Sequence, residues 1–194
     1  MSKSKRFGMV VNKERCIGCE ACSVACRIEN NSTDFWIRVE TEGCIDKDTP
    51  EGKFPDLTMN FIPKFCNHCE NPPCVESCPV EAIQKRDDGI VILDHELCTG
   101  CKACLDACPY DVIIFNENNN LAEKCNLCVH RIDKGLEPFC VICCEGQALF
   151  FGDLNDPDSV VSKLISENNN FQLNPEIGTM PKIYYLPPRP KRIL

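Results

Sequence analysis

The chain has 194 residues, 18 of them cysteine against 1 tryptophan and 3 tyrosines, a skew that needs a chemical reason. At this length it forms one domain or two very small ones, and with so few large aromatics its core needs a staple of disulfides, zinc or iron–sulfur clusters. The formal charge of −8 argues against nucleic acid as a partner, the more so because metal-ligating thiols are deprotonated and would add to it.

The first seven residues are rich in Lys and Ser, but Gly8-Met9-Val10-Val11 and Asn12-Lys13-Glu14-Arg15 follow at once, which leaves no secretory hydrophobic region. The expectation is a chain with no export signal of its own, assembled in the cytoplasm where thiols stay reduced. The longest apolar runs, 90–93, 112–115 and 139–144, fall far short of the ~18 residues of a membrane span.

Val10-Val11-Asn12 reads as a short strand before the first cysteine group, Cys16-x2-Cys19-x2-Cys22-x3-Cys26. The stretch between the first and second groups holds Phe35, Trp36 and Ile37, which suit internal packing or partner surface. It also holds Cys44, whose spacing gives it no partner and which reads first as a small buried hydrophobe.

The second group is Cys66-x2-Cys69-x4-Cys74-x3-Cys78 with Pro79 next, and His68 lies inside it. Rieske centres replace Cys with His rather than adding one, so His68 is expected to pack behind the loop. Residues 80–83 read as a short helix opened by proline. Asp88-Gly89, between Gln84-Lys85-Arg86 and Ile90-Val91-Ile92-Leu93, is a hairpin signal.

The third group, Cys98-x2-Cys101-x2-Cys104-x3-Cys108-Pro109, repeats the first beyond its cysteines. Ile92-Leu93-Asp94 precedes it as Val10-Val11-Asn12 precedes Cys16, and Ala103 and Ala107 match Ala21 and Ala25. Each unit reads as strand, loop and helical turn, a structural duplication.

The fourth group is Cys125-x2-Cys128-x11-Cys140-x3-Cys144. Lys102, Lys124 and Arg131 are placed to offset metal-centre charge or to meet an acidic partner, and equally suit plain solvated positions, while His95 and His130 read as surface residues or as neighbours of a ligand. Past Asp153, residues 159–166 suit a short helix, Asn168-Asn169-Asn170 a loop, and Pro181, Pro187, Pro188 and Pro190 forbid a terminal helix. This tail is expected to lie across a partner or the chain's own modules.

The spacing decides the chemistry. A C-x2-C-x2-C loop can wrap three corners of a cubane, and in the run C-x2-C-x2-C-x3-C-P the last cysteine ligates the other cluster of a pair. Zinc sites use separated pairs, and a disulfide scaffold belongs to short secreted chains. No Ser–His–Asp set, Walker loop or dinucleotide fingerprint is present, so the visible chemistry is one-electron transfer rather than substrate turnover.

Cys66-Asn-His-Cys-Glu-Asn-Pro-Pro-Cys74, Lys124-Cys125-Asn-Leu-Cys128-Val-His-Arg131, the run from Phe151 to Pro157 and Gly178-Thr179-Met180-Pro181-Lys182-Ile183-Tyr184-Tyr185-Leu186 together resemble the iron–sulfur beta subunits of the dimethyl sulfoxide reductase family. That family includes the small subunits of polysulfide, thiosulfate and arsenate reductases and of a transhydroxylase. The resemblance covers essentially the whole chain and implies an α+β architecture of two bacterial-ferredoxin-like modules, one inserted in the other, with four [4Fe–4S] clusters. It implies an outer module of 1–30 plus 120–152, a loop insert of 31–61, an inner module of 62–119 and a C-terminal partner-binding tail of 153–194.

By position, the resemblance gives cluster one Cys16, Cys19, Cys22 and Cys144, and cluster two Cys66, Cys69, Cys74 and Cys108. Cluster three takes Cys98, Cys101, Cys104 and Cys78, and cluster four takes Cys125, Cys128, Cys140 and Cys26. Most relatives carry Cys-Pro at the end of the fourth group, whereas this chain reads Cys143-Cys144-Glu145. The shared x3 spacing selects Cys144, leaves Cys143 spare and puts a carboxylate beside cluster one, which would favour the oxidised form unless screened.

The partners so implied are a large molybdopterin catalytic subunit and either a membrane anchor or a soluble electron carrier. The final location is then the cytoplasm or, by co-export with the catalytic subunit, the outer face of the membrane. A free polyferredoxin, and a two-subunit enzyme doing internal redox chemistry on aromatic rings, are the rival readings.

Overall fold

The structure, a computed structural model, describes residues 4–42 and 49–189; Cys44 and Pro190 lie outside them. Helix and strand are mixed, as the sequence implies. Strand β1 (Phe7–Asn12) is the centre of a three-stranded sheet. It runs antiparallel to β10 (Leu149–Asp153), with Val11 opposite Leu149, and parallel to β11 (Ile183–Leu186), with Met9 opposite Ile183. Met9, Val10 and Val11 are fully buried. A strand buried on both faces reads as a continuous apolar run rather than an alternating one, which is why 9–11 has no polar member.

Helix α1 (Ala21–Glu29) follows the first cysteine loop, and α3 (Ala103–Ala107) follows the third. Each helix starts after a residue in the left-handed region, Glu20 at φ 57° and Lys102 at φ 64°, and each loop turns on a glycine at φ 70°, Gly18 and Gly100. The duplication seen in the sequence therefore extends to backbone geometry.

The remaining strands pair as antiparallel hairpins: β2 (Arg38–Glu42) with β5 (Asn60–Lys64), β3 (Glu51–Lys53) with β4 (Asp56–Thr58), β6 (Ile83–Lys85) with β7 (Val91–Leu93), and β8 (Ile114–Asn116) with β9 (Leu121–Glu123). The β6–β7 hairpin is the one signalled by Asp88-Gly89, with Gly89 at φ 84°. The helix expected over 80–83 does not form. Glu81 takes φ 53°, the Ala82 N–H donates to Cys78 Sγ at 3.3 Å instead of to a helical carbonyl, and Ile83 opens β6.

Short helices α2 (Pro73–Glu76), α4 (Val129–Ile132) and α5 (Phe139–Ile142) carry cysteines or their neighbours. Helix α6 (Val160–Glu167) is capped by Ser159, whose Oγ accepts from the Ser162 N–H at 3.3 Å, one residue from the expected start. It seats Val161 against Val10 and Leu186. The proline-rich tail then makes β11 instead of a helix. Among the described residues no helix is long and apolar enough to cross a membrane.

Candidate metal centres

Three cavities are each lined by four thiols drawn from two separate sequence groups. Cys16, Cys19, Cys22 and Cys144 line one. Cys66, Cys69, Cys74 and Cys108 line another, and Cys78, Cys98, Cys101 and Cys104 a third. A fourth gathering is read from electrostatics. The Cys140 thiol is pushed far up by burial and then by Cys125, Cys128 and Cys26, and Cys125 by burial, Cys26, Cys66 and Cys128.

The same two causes act in the other sets. Burial, with Cys16 and Cys144 alongside, pushes the Cys22 thiol up to about 12, and burial with Cys66, Cys108 and Cys69 does the same to Cys74. Cys104 rises to about 11 through burial, Cys98, Cys101 and Cys78. Thiols this reluctant to ionise become thiolates only where a cation takes up the charge, so the sets suit a metal centre and not free reactive cysteine. Among the described residues no three His, Cys, Asp or Glu side chains could hold one metal ion as placed; a cubane instead spreads its four thiolates over four irons.

The loops aim backbone N–H groups at sulfur. Ala82 donates to Cys78 Sγ at 3.3 Å, Ala148 to Cys144 Sγ at 3.2 Å and Leu127 to Cys125 Sγ at 3.4 Å. Val112 does likewise for Cys108. In three groups the last cysteine therefore accepts from the amide four residues on, and Cys144 does so without a following proline because Gln147 turns at φ 47°.

The first group departs from this pattern. Arg27 keeps α1 helical past Cys26, and Asn30, again four residues on, supplies its side chain, with Nδ2 reaching Cys26 Sγ at 3.7 Å and Cys128 Sγ at 3.8 Å. Sequence reasoning missed Asn30, although its offset from Cys26 was available as a signal.

His68 is fully buried, and its Nδ1 accepts from the Val91 N–H at 3.0 Å. Burial and the Lys124 and Lys182 ammonium groups hold it well below the usual histidine range, so it is neutral and packs behind the loop. Lys124 is 3% exposed and donates to the carbonyls of Val91 and Cys125, which settles its role as internal. Lys102 is outward, over the Phe115 ring at 3.8 Å and 3.5 Å from Glu117. Arg131 and His130 both meet Glu29, at 3.2 and 2.8 Å, and His95 is exposed.

Trp36 packs inward, and its Nε1 donates to Glu123 Oε2 at 2.9 Å. Of the described cysteines only Cys19 and Cys101 are exposed; Cys143 is half-buried.

Two models of the 4Fe-4S dicluster domain match the chain, over residues 57–154 and 15–82. The iron–sulfur subunit of a dimethyl sulfoxide reductase of Halobacterium salinarum is 44% identical over 93% of this chain and 78% of its own length. A tetrathionate reductase subunit of Salmonella typhimurium is 41% identical, covering 95% of this chain and 74% of itself. The arsenate respiratory reductase iron–sulfur subunit of a Shewanella species is 36% identical over 93% and 96%. The dicluster domains, the [4Fe–4S] clusters they imply and these relatives agree with the thiol-lined cavities: the chain belongs to the 4Fe-4S dicluster family of iron–sulfur electron-transfer subunits of reductases.

Proposed function

We propose that the chain relays single electrons through four [4Fe–4S] clusters between a molybdopterin-containing catalytic subunit and a second redox partner, either a membrane anchor or a soluble carrier. The observation that carries this reading is the set of three cavities, each lined by four thiols from two cysteine groups distant in sequence. Cys16, Cys19, Cys22 and Cys144 would hold the first cluster; Cys66, Cys69, Cys74 and Cys108 the second; Cys98, Cys101, Cys104 and Cys78 the third; Cys125, Cys128, Cys140 and Cys26 the fourth. Ala148 donating to Cys144 Sγ, as Ala82 does to Cys78 Sγ, favours Cys144 over Cys143. Pairing first with fourth and second with third makes the inner module, 62–119, an insertion in the outer one, 1–30 plus 120–152.

When bound, the clusters supply one-electron redox chemistry; the chain's own residues fix their order, exclude water and tune them. Cys22 and Cys26 neighbour each other on α1, linking the first set to the fourth. Cys125 feels both Cys26 and Cys66, linking fourth to second, and Cys74 and Cys104 share one small apolar core, linking second to third. The resulting order, first, fourth, second, third, has an exposed thiol at each end, Cys19 and Cys101. Those are the points where partners would exchange electrons, and the inner sets are shielded.

Native anaerobic purification tests the partner. A co-eluting large subunit containing molybdopterin is expected, whereas a chain that runs only as a cluster-loaded monomer would favour a free polyferredoxin.

A further inference from the structure

The tail residues 178–182 lie along the second cysteine loop, more than a hundred positions away in sequence. The Glu70 N–H donates to the Met180 carbonyl at 2.9 Å, Asn71 N–H to Thr179 at 3.0 Å, and Lys182 N–H to Asn67 at 2.9 Å. Lys182, fully buried, fixes the strap with its ammonium 3.0 Å from Glu70 Oε2 and donating to the Gly89 carbonyl at 3.0 Å. Thr179 is thereby held at 3% exposure with its hydroxyl 2.5 Å from the buried Tyr110 hydroxyl.

Tyr110 lines the same cavity as Cys69, the strap's backbone bonds bracket Cys69 at Asn67 and Glu70, and both hydroxyls are electrostatic partners of that thiol. Between them they own two protons. Whichever hydroxyl donates to the other, the second proton is left for the sulfur, so one O–H···S bond forms in either arrangement, polarised by the neighbouring hydroxyl. Both groups are cut off from water, and a buried hydroxyl needs a partner.

We infer that the C-terminal strap is a tuning element: Thr179, with Tyr110, hydrogen-bonds Cys69 and raises the reduction potential of the cluster that Cys69 holds. This rests on the ligand assignment proposed above. A hydrogen bond to a ligating sulfur stabilises the more negative, reduced form, which is why such bonds set potentials. The tail is thus a working part of the inner module's electronics as well as a strand of the outer module's sheet, and Thr179 and Tyr110 are positioning residues.

The test is an EPR-monitored redox titration of the anaerobically purified chain, with iron counted in every sample. The double variant Thr179→Val/Tyr110→Phe is expected to shift one midpoint potential downward and leave the other three in place. Each single variant, which keeps one unpolarised hydroxyl, shifts the same potential part of the way, and Thr179→Ser, which keeps the hydroxyl, leaves it at the wild-type value. If the double variant loses iron, the two single variants decide. Four unchanged potentials with the iron intact overturn the strap proposal alone; a wild-type chain without cluster iron overturns the ligand assignment beneath it.

Discussion

Cys22 and Cys26 stand one helical turn apart on α1, yet Cys22 has Cys16 and Cys144 as thiol neighbours while Cys26 has Cys128 first. Residues four apart share a helix face, so under the proposed ligand sets one short helix would serve two centres. Cys22→Ala and Cys26→Ala should therefore remove different clusters: each single variant loses about four irons, and the double variant about eight. Iron analysis of the three proteins checks this, and a double variant that loses no more than a single one means the two cysteines share a cluster.

Gly100 sits at φ 70°, and a Cβ there would fall against the Asn120 carbonyl. Gly135 has φ 74° with nothing within 4 Å. Gly135→Ala should cost only the left-handed penalty, roughly 1–2 kcal/mol, and keep full iron. Gly100→Ala adds a backbone clash in the third loop and should lose the cluster proposed for Cys98, Cys101 and Cys104. Thermal melting and iron content distinguish the two, and equal effects would refute the local argument.

Glu123 is buried and accepts from Trp36 Nε1 and from the Ser32 and Asn116 side chains, at 2.9, 2.7 and 2.7 Å, which ties residues 32–36 to β9. Trp36→Phe removes one bond to a charged acceptor, an expected loss of about 1.5–3 kcal/mol. Lys163→Ala, which breaks only the exposed 3.4 Å pair with Asp158, should cost less than about 1 kcal/mol. Chemical denaturation of the two variants gives the comparison.

Glu70 meets Lys85 at 2.8 Å, Lys182 at 3.0 Å and Arg6 at 3.2 Å. Hydrogen bonds from Lys85, then Lys182, hold its carboxyl down to about 2 against an ordinary 4.5. A carboxyl depressed on folding contributes stability that is full above its unfolded pKa and is lost as pH falls through the folded one. That contribution should fade between pH 4.5 and about 2. Glu70→Gln should lower stability at neutral pH and flatten this acid limb; an unchanged limb would contradict the assignment.

Cys143→Ser should keep the full iron complement, and Cys144→Ser should lose one cluster. The amide of Ala148 points at Cys144 Sγ, and Cys144 is the thiol lining the cavity with Cys16, Cys19 and Cys22. The reverse outcome would give the iron corner to Cys143.

Spacing carries local information, and what depended on it was legible in the sequence: the four cysteine groups, the Asp88-Gly89 hairpin and α6. Residues whose partners lie far along the chain were not. Thr179 meets Tyr110 across 69 positions, and Glu123 meets Trp36 across 87. The expected helix at 80–83 failed because a sulfur at Cys78 captured the amide that a helix needs, a competition that propensity alone does not register. Lys124, whose sequence context suits a charge offset, an acidic partner or plain solvent, is instead buried against the Val91 and Cys125 carbonyls.

Sixteen of the eighteen cysteines are proposed to hold four cubanes, and iron, acid-labile sulfide and zinc can be quantified in the anaerobically purified chain. About sixteen irons and sixteen sulfides per chain, with negligible zinc, are expected for four [4Fe–4S] clusters; about eight of each, or zinc in place of iron, would contradict that assignment.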